Sequence, residues 1–443
     1  MNRPADRPAQ PFLTKDGVAR LRTALSPAGP VDYRPGQVII DLREFDGGVD
    51  SVDRTIARIS TSIGVELRTD KTDLSQTKRS GLLRAHFTTD DDTRVVIERI
   101  RREFGHRAAS TNAVFTIGSV TADPMHFTST LTADPMHFTA GYSADPMHFT
   151  NSSTARPVVR PTSWDTYPRA TKGPGQATVA ILDTGAPPVG PAGPSDIDFV
   201  GPTGTIRERA DINGDDFLDI AAGHTTFIRT IIHRASPAAV VLVEGVIHND
   251  GDGDEADIAN ALARVVDSVR DPSRLIVNLS FSGYYDDDVE PPMIGFWIRE
   301  LVTAGAVVVA AAGNDGACRK KYPAAMPEVI AVSSVGPCGP SPFSNHGPWV
   351  DATAPGEDLI SEFFANFDGA YEPLVPGSVP DIDDFSGWAM WSGTSFSTPA
   401  VVGALAEIVE THDCPAVDAV RILLRRPGLL RVPDYGVVVN RVF

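Results

Sequence analysis

Several things are scarce in this sequence, and each shortage excludes a class. Three cysteines, Cys318, Cys338 and Cys414, are too few and odd in number for a disulfide scaffold, and their spacing fits no zinc pattern. Buried free thiols are expected, although Cys318 and Cys338 flank a predicted strand, Val329 to Val335, that would bring them close. No run reaches about 18 uninterrupted apolar residues, and the N-terminal MNRPADRPAQPFLTKDGVARLRTAL lacks the apolar core of a signal peptide. The expectation is a soluble, cytoplasmic protein with no membrane partner. Positive charge is the scarce sign. Lys and Arg total 39 against 57 Asp and Glu, and the net charge of -18 argues against a nucleic-acid partner. An acidic surface suits solubility and, in places, basic peptides.

What is present is length and pattern. A chain of 443 residues exceeds what one core usually organises, and its composition shifts twice. Residues 1–35 read as an N-terminal extension. Residues 36–118 read as a small α+β unit, starting with a strand at Gln37 to Leu42. A helix with Val52, Ile56, Ile59 and Ile63 on one face follows, then short strands near Val65 to Leu67 and Leu82 to Phe87. A second helix is capped within Asp90 to Thr93, carries Val96, Ile97, Ile100 and Phe104, and stops at Gly105, before a last strand near Ala113 to Ile117. The order βαββαβ is that of a ferredoxin-like domain, which hosts many functions and so names none.

Residues 119–175 resemble neither neighbour. The heptapeptide Ala-Asp-Pro-Met-His-Phe-Thr occurs three times, from Ala122, Ala133 and Ala144, with a period of 11. A proline in each copy, with Pro157, Pro161, Pro168 and Pro174 beyond, excludes a continuous helix or central strand, and the unit is too short and too polar to stack as a solenoid. The segment reads as an exposed linker. Its near-perfect copies exceed what a tether requires, which leaves open a partner that reads them, presentation to the protein's own cleft, or release as peptides, with a tandem duplication without a reader as the plain alternative. His126, His137 and His148 with the neighbouring methionines give no preformed metal site.

Residues 176–443 alternate short apolar strands, at Val179 to Leu182, Ala239 to Val243, Leu275 to Leu279, Ala306 to Ala311 and Val329 to Val332, with helices at His224 to His233, Glu255 to Val269 and Pro292 to Ala304. That pattern predicts a doubly wound parallel α/β sheet with its site beyond the carboxyl ends of the strands. Three pieces there carry chemistry. Ser395, in Ser392-Gly393-Thr394-Ser395-Phe396-Ser397-Thr398-Pro399-Ala400, stands at the start of an apolar helix, where backbone N–H groups face an oxyanion. A serine hydroxyl needs a base. Val179 to Asp183 ends a strand on a carboxylate, and Ala222-Gly223-His224 opens a helix on an imidazole.

Together these pieces resemble the subtilisin-like serine peptidases, whose chain order is Asp, His, Ser. The resemblance makes Ser395 the nucleophile, His224 the general base and then acid, and Asp183 the residue that orients it. Ala310-Ala311-Ala312-Gly313-Asn314-Asp315 is similar to the segment whose Asn side chain binds the oxyanion, with Ser395 supplying the second donor. Ser280, Phe281 and Ser282 match the substrate-binding strand. The implied protein is a serine endopeptidase acting on protein or peptide substrates without cofactor or metal, made as a zymogen whose N-terminal unit is a propeptide that assists folding and occupies the cleft, with self-processing in the linker. The alternatives are a catalytically weak, peptide-binding relative and a protease fused to a repeated peptide precursor.

Two features depart from the family pattern. The family has Gly after this His and a small residue followed by Gly shortly beyond, where this chain has Thr225, Arg229 and Thr230; the added bulk is expected to press on the helix that starts at Ser395 and shift His224. Two acidic loops, Asp211 to Asp216 and Asp250 to Glu255, lack the glycine and glutamate of an EF-hand and read as solvated turns rather than calcium sites, the second with a weak leaning toward basic residues in a substrate.

Overall fold

The computed structural model describes residues 22–26, 29–69, 74–89, 91–117, 155–158, 175–185, 210–211, 217–248, 251–371 and 382–439. The heptapeptide copies and the greater part of the acidic stretch 211–216 lie outside the described residues.

The N-terminal unit contains β1 (Arg22–Ser26), β2 (Gly29–Asp41), α1 (Val52–Ile63), β3 (Leu67–Thr69), α2 (Leu74–Ser80), β4 (Leu82–Phe87), α3 (Thr93–Phe104) and β5 (Ala109–Thr116). Its strands lie in the order β5-β2-β4-β3, all antiparallel, with β1 on β2. β1 and the first part of β2 precede residue 36, inside the stretch read as an extension. The cause is local: Gly36 takes a φ of +72° and the β2–β5 ladder shifts register between Tyr33 and Val38, so one bulged strand runs through Pro35-Gly36. The cap expected for α3 is Asp92, whose Oδ1 accepts from Arg94 N–H at 2.9 Å, and Gly105 ends that helix at φ +106°.

The period of two then decides what each face of this sheet covers. Val38, Ile40, Leu83 and Ala85 meet the apolar stripes of α1 and α3. Ile39, Leu82, Phe115 and Ile117 belong instead to the core of the second unit, so the sheet is buried on both faces.

That second unit continues with β6 (Arg156–Pro157), β7 (Thr178–Asp183), β8 (Phe217–Leu218), α4 (His224–Ala235), β9 (Val240–Gly245), β10 (Asp252–Asp254), α5 (Glu255–Ser268), β11 (Leu275–Leu279) and α6 (Pro292–Thr303). It ends with β12 (Val307–Ala311), β13 (Val329–Gly336), β14 (Gly339–Pro340), β15 (Ala352–Pro355), β16 (Leu359–Tyr371), β17 (Ile382–Trp391), α7 (Thr394–His412), α8 (Ala416–Leu424), β18 (Arg431–Val432) and β19 (Gly436–Val438). The main sheet has the order β18-β19-β15-β13-β12-β11-β7-β9 and is parallel from β19 to β9. Val179 and Ile181 face the layer of α4 and α7, while Ala180 and Leu182 face that of α5 and α6. This is the doubly wound α/β arrangement the alternating strands and helices predict.

The antiparallel hairpin β16–β17, flanked by β6 and β8, has no counterpart in the sequence reading. Among the described residues no helix is long and apolar enough to cross a membrane. The cysteines depart from expectation: all three are free, but Cys318 and Cys338 are exposed rather than buried.

Candidate active site

β7 delivers Asp183 at the carboxyl end of the parallel sheet, fully buried. Its Oδ1 accepts from Thr184 N–H at 2.8 Å and lies 2.7 Å from His224 Nδ1. A carboxylate oxygen accepts, so Nδ1 is the donor of this bond and Nε2 is the ring nitrogen left to serve as base. His224 is the first residue of α4, held against Trp391 edge-on at 5.4 Å between centroids and against Phe396 at 5.2 Å. Gly223 precedes it at φ +81°, and a Cβ there would stand 2.1 Å from the Phe363 ring, so only glycine lets the hairpin pack at the start of α4. Trp391 and Phe363 were missed by sequence reasoning because they come from the unanticipated hairpin, and Phe396, although it follows the serine directly, carries no sign of which ring it meets. Their signal was faint: Trp391 stands four residues before Ser395 in the sequence.

Ser395 lies in the first turn of α7. Its Oγ donates toward two carbonyl oxygens, Ile117 O at 2.9 Å and Ser280 O at 3.0 Å, while the His224 ring is bonded to Asp183. Pro399 lies in the second turn of the same helix. Having no N–H, it leaves Ser395 O without its helical donor, and Ser280 Oγ takes that place at 2.8 Å; Asn278 Nδ2 in turn donates to Ser280 Oγ at 2.9 Å.

Asn314 follows β12, facing the start of α7. The Thr394 backbone N–H (2.9 Å) and hydroxyl (2.8 Å) both meet Asn314 Oδ1. A backbone N–H can only donate, so this contact fixes the amide orientation and leaves Nδ2 as a donor, 3.5 Å from where a Cβ on Gly393 would stand. The loop is braced from behind. Burial pushes the Asp315 carboxyl up, but Lys321 Nζ at 2.7 Å outweighs it, and Tyr284 Oη at 3.0 Å adds a donor, so the group is held below the usual carboxylate range.

The three residues matched to a substrate strand lie together with this group. Ser282 exchanges backbone hydrogen bonds with Thr116 (Thr116 N to Ser282 O, 3.0 Å; Ser282 N to Thr116 O, 2.9 Å). On the other edge β10 pairs antiparallel with β5, Asp252 opposite Thr116 and Asp254 opposite Val114, and Ile117 N–H donates to Gly251 O at 3.3 Å. The end of β5 therefore lies as the middle strand of three and leads its carbonyl to Ser395. Phe281 meets Phe115 edge-on at 6.2 Å.

Two expectations are corrected here. The bulk after His224 does not press on α7. Thr225 Oγ1 lies 3.0 Å from Thr184 Oγ1 and accepts from Gly185 N–H at 3.2 Å, pinning α4 to the end of β7. Arg229 Nη2 and Thr230 Oγ1 reach Glu362 Oε2 of the hairpin at 3.4 and 3.2 Å. The close approach of α4 to α7 falls instead at Gly403, where a Cβ would stand 2.7 Å from Ala235 Cβ. Nor is the loop at 251–255 solvated: Asp252 and Asp254 are buried, and Arg34 of β2 bridges them. A buried carboxylate requires such a partner, and the N-terminal unit supplies it.

Residues 219–426 match the model of the Subtilase family. The chain is 30% identical to a thermophilic serine proteinase of Bacillus sp. (strain AK1) over 251 residues, 55% of this chain and 54% of that protein. It is 28% identical to mycosin-1 of Mycolicibacterium smegmatis over 301 residues, 59% of this chain and 64% of the relative, and 30% identical to thermitase of Thermoactinomyces vulgaris over 249 residues, 55% and 76%. The chain thus spans about half to two thirds of the length of the first two and three quarters of the third.

Proposed function

The chain belongs to the subtilase family, and we propose that it is a serine endopeptidase in which Asp183, His224 and Ser395 hydrolyse peptide bonds through an acyl-enzyme. The hydroxyl of Ser395 resting on the carbonyl oxygen of a chain that lies as a strand in the cleft is the observation that carries this reading. In the reaction Oγ passes its hydrogen bond to His224 Nε2 and attacks the carbonyl carbon as the imidazole takes the proton. Asp183 Oδ1 holds the imidazolium through Nδ1. The oxyanion faces Asn314 Nδ2 and the Ser395 N–H. Collapse breaks the C–N bond, His224 returns the proton to the departing amine, and a water activated by the same base then hydrolyses the ester and frees Oγ.

The N-terminal unit acts as a propeptide. Its support is the placement of β5: the unit buries one sheet face on the second unit, places Arg34 between Asp252 and Asp254, and ends over the nucleophile at Ile117. Self-processing then falls at the bond after Ile117 or the next one, at the start of the linker. The carboxylates most tempting as a basic-substrate site are already used to hold this unit.

A fluorophosphonate probe tests the triad. The processed wild type should label at Ser395 and turn over a mixed peptide library, and Ser395→Ala should not label and should keep only the residual rate, roughly 10³–10⁴-fold over that in water, that an oxyanion hole and binding alone supply. Labelling that survives the substitution would put the nucleophile elsewhere. Peptide binding by the wild type without turnover would favour the non-catalytic alternative.

A further inference from the structure

The segment seated in the cleft has a sequence, and that sequence recurs. Phe115-Thr116 is followed by Ile117 at the nucleophile. Phe-Thr ends each heptapeptide copy, at Phe127-Thr128, Phe138-Thr139 and Phe149-Thr150, followed by Ser129, Ala140 and Asn151. The dipeptide also occurs at Phe87-Thr88, but there the phenylalanine ends β4 inside the core of the N-terminal unit.

The cleft reads the phenylalanine and leaves the rest to the backbone. Phe115 is fully buried, edge-on to Phe281, and its ring lies over Gly283, where a Cβ would stand 2.9 Å from it. A bare glycine beneath and an aromatic beside it make a seat for a flat ring. Thr116 is held by main-chain pairing on both edges, which any non-proline residue provides. With each copy in this register, its proline falls at the position of Asn112, outside the 114–116 stretch that pairs with β10, so it forfeits no hydrogen bond to that strand.

The linker can also reach the cleft. β6 pairs with β17 at Ala389 and Met390, so the chain re-enters the described structure at Ala155 beside the strand that leads into Ser395. From Phe127 to Ala155 there are 28 residues, a reach of up to about 90 Å when extended.

We infer that the three heptapeptide copies are successive substrates of this same cleft, seated by Phe127, Phe138 and Phe149 where Phe115 sits, and cut at equivalent bonds so that the linker leaves as short peptides. This rests on the endopeptidase reading above and specifies its substrate. Each cut consumes one water: the carbonyl carbon gains the oxygen, becoming a carboxylate after the acyl-enzyme step, and the departing nitrogen gains a proton from His224. With the first cut after Ile117, the equivalent cuts after Ser129, Ala140 and Asn151 release Gly118–Ser129, Thr130–Ala140 and Gly141–Asn151, of 12, 11 and 11 residues. If every cut falls one bond later the lengths are unchanged, so they identify the process whatever the register. The last cut leaves Ser152 to Thr154 at most ahead of Ala155, the edge of the described fold.

The test is mass spectrometry of peptides released by the full wild-type chain, beside the chain carrying F127D, F138D and F149D and beside Ser395→Ala, each also assayed on a generic chromogenic peptide. The inference expects the 12-, 11- and 11-residue peptides from the wild type. It expects none from the triple variant, which still sheds its N-terminal unit and hydrolyses the generic substrate. A synthetic Ala-Asp-Pro-Met-His-Phe-Thr-Ser-Thr-Leu-Thr should compete with the generic substrate, and its Phe→Asp form should compete roughly tenfold or more weakly. A wild type that hydrolyses the generic peptide but leaves residues 119–154 in one piece overturns the inference and spares the endopeptidase reading. Unchanged cutting in the triple variant overturns it too, since the phenylalanine is then not read. A wild type inactive on both substrates brings down the endopeptidase reading, and the inference with it.

Discussion

Glu255, the first residue of α5, sits where the two units meet, next to Ala256, whose N–H is capped by Asn112 of β5 at 3.2 Å. Full burial pushes its carboxyl up to about 8, although Met293 N–H donates to Oε1 at 2.7 Å and pulls the other way. In the unfolded chain the group ionises near 4.5, so between about pH 5 and pH 8 the folded state holds a proton that the unfolded state has lost. Stability therefore falls as pH rises through that window. In the uncut Ser395→Ala chain, thermal midpoints measured from pH 5 to 8 should decline with Glu255 present and decline less in Glu255→Gln, which keeps an acceptor for Met293. Equal slopes would contradict the assignment. At this same scale Asp183, His224, Ser395 and Asn314 were legible because each stands at an element boundary marked by local sequence: a strand ending on a carboxylate, a Gly-His helix start, a Gly-Thr-Ser turn. Trp391, Phe363 and Phe396 around His224 were not, because ring packing depends on which elements meet, and nothing in a single segment records that.

Among elements, long periodic segments were readable and paired short ones were not. The stripe of α1 and the strands at 275–279 and 307–311 follow from apolar spacing alone, whereas β10 exists only because β5 lies beside it. That dependence reversed the reading of the acidic loop. Asp252 and Asp254 look solvated in one dimension and are buried under Arg34 in three. Arg34→Ala leaves both carboxylates buried without that cation, a change that typically costs about 3–5 kcal/mol. Added back to the processed second unit, the isolated N-terminal unit should bind and co-elute on size exclusion at concentrations above its dissociation constant, and Arg34→Ala should weaken that retention by roughly two to four orders of magnitude in dissociation constant. Retention equal to that of the wild type would show that the buried sheet face, not the bridge, holds the complex.

Seen whole, the molecule is one chain folded around its own cleft. The parallel sheet sets Asp183, His224 and Ser395 at its carboxyl edge, the N-terminal sheet buries one face on the same core, and β5 joins them by running from one sheet into the other's site. The family and its α/β sheet were legible from ordered motifs; the insertion of β5 between β10 and Ser282 was not, since it is a pairing across more than a hundred residues. The account stands or falls on the claim that Ser395 cuts the chain where β5 ends, at the carbonyl it touches or at the next one. The direct measurement is the C-terminal residue of the N-terminal fragment shed by the freshly purified wild type, identified by mass spectrometry beside Ser395→Ala. The account predicts a fragment ending at Ile117 or Gly118 and an uncut Ser395→Ala chain; a fragment ending elsewhere in the linker, or the same fragment from Ser395→Ala, would contradict it.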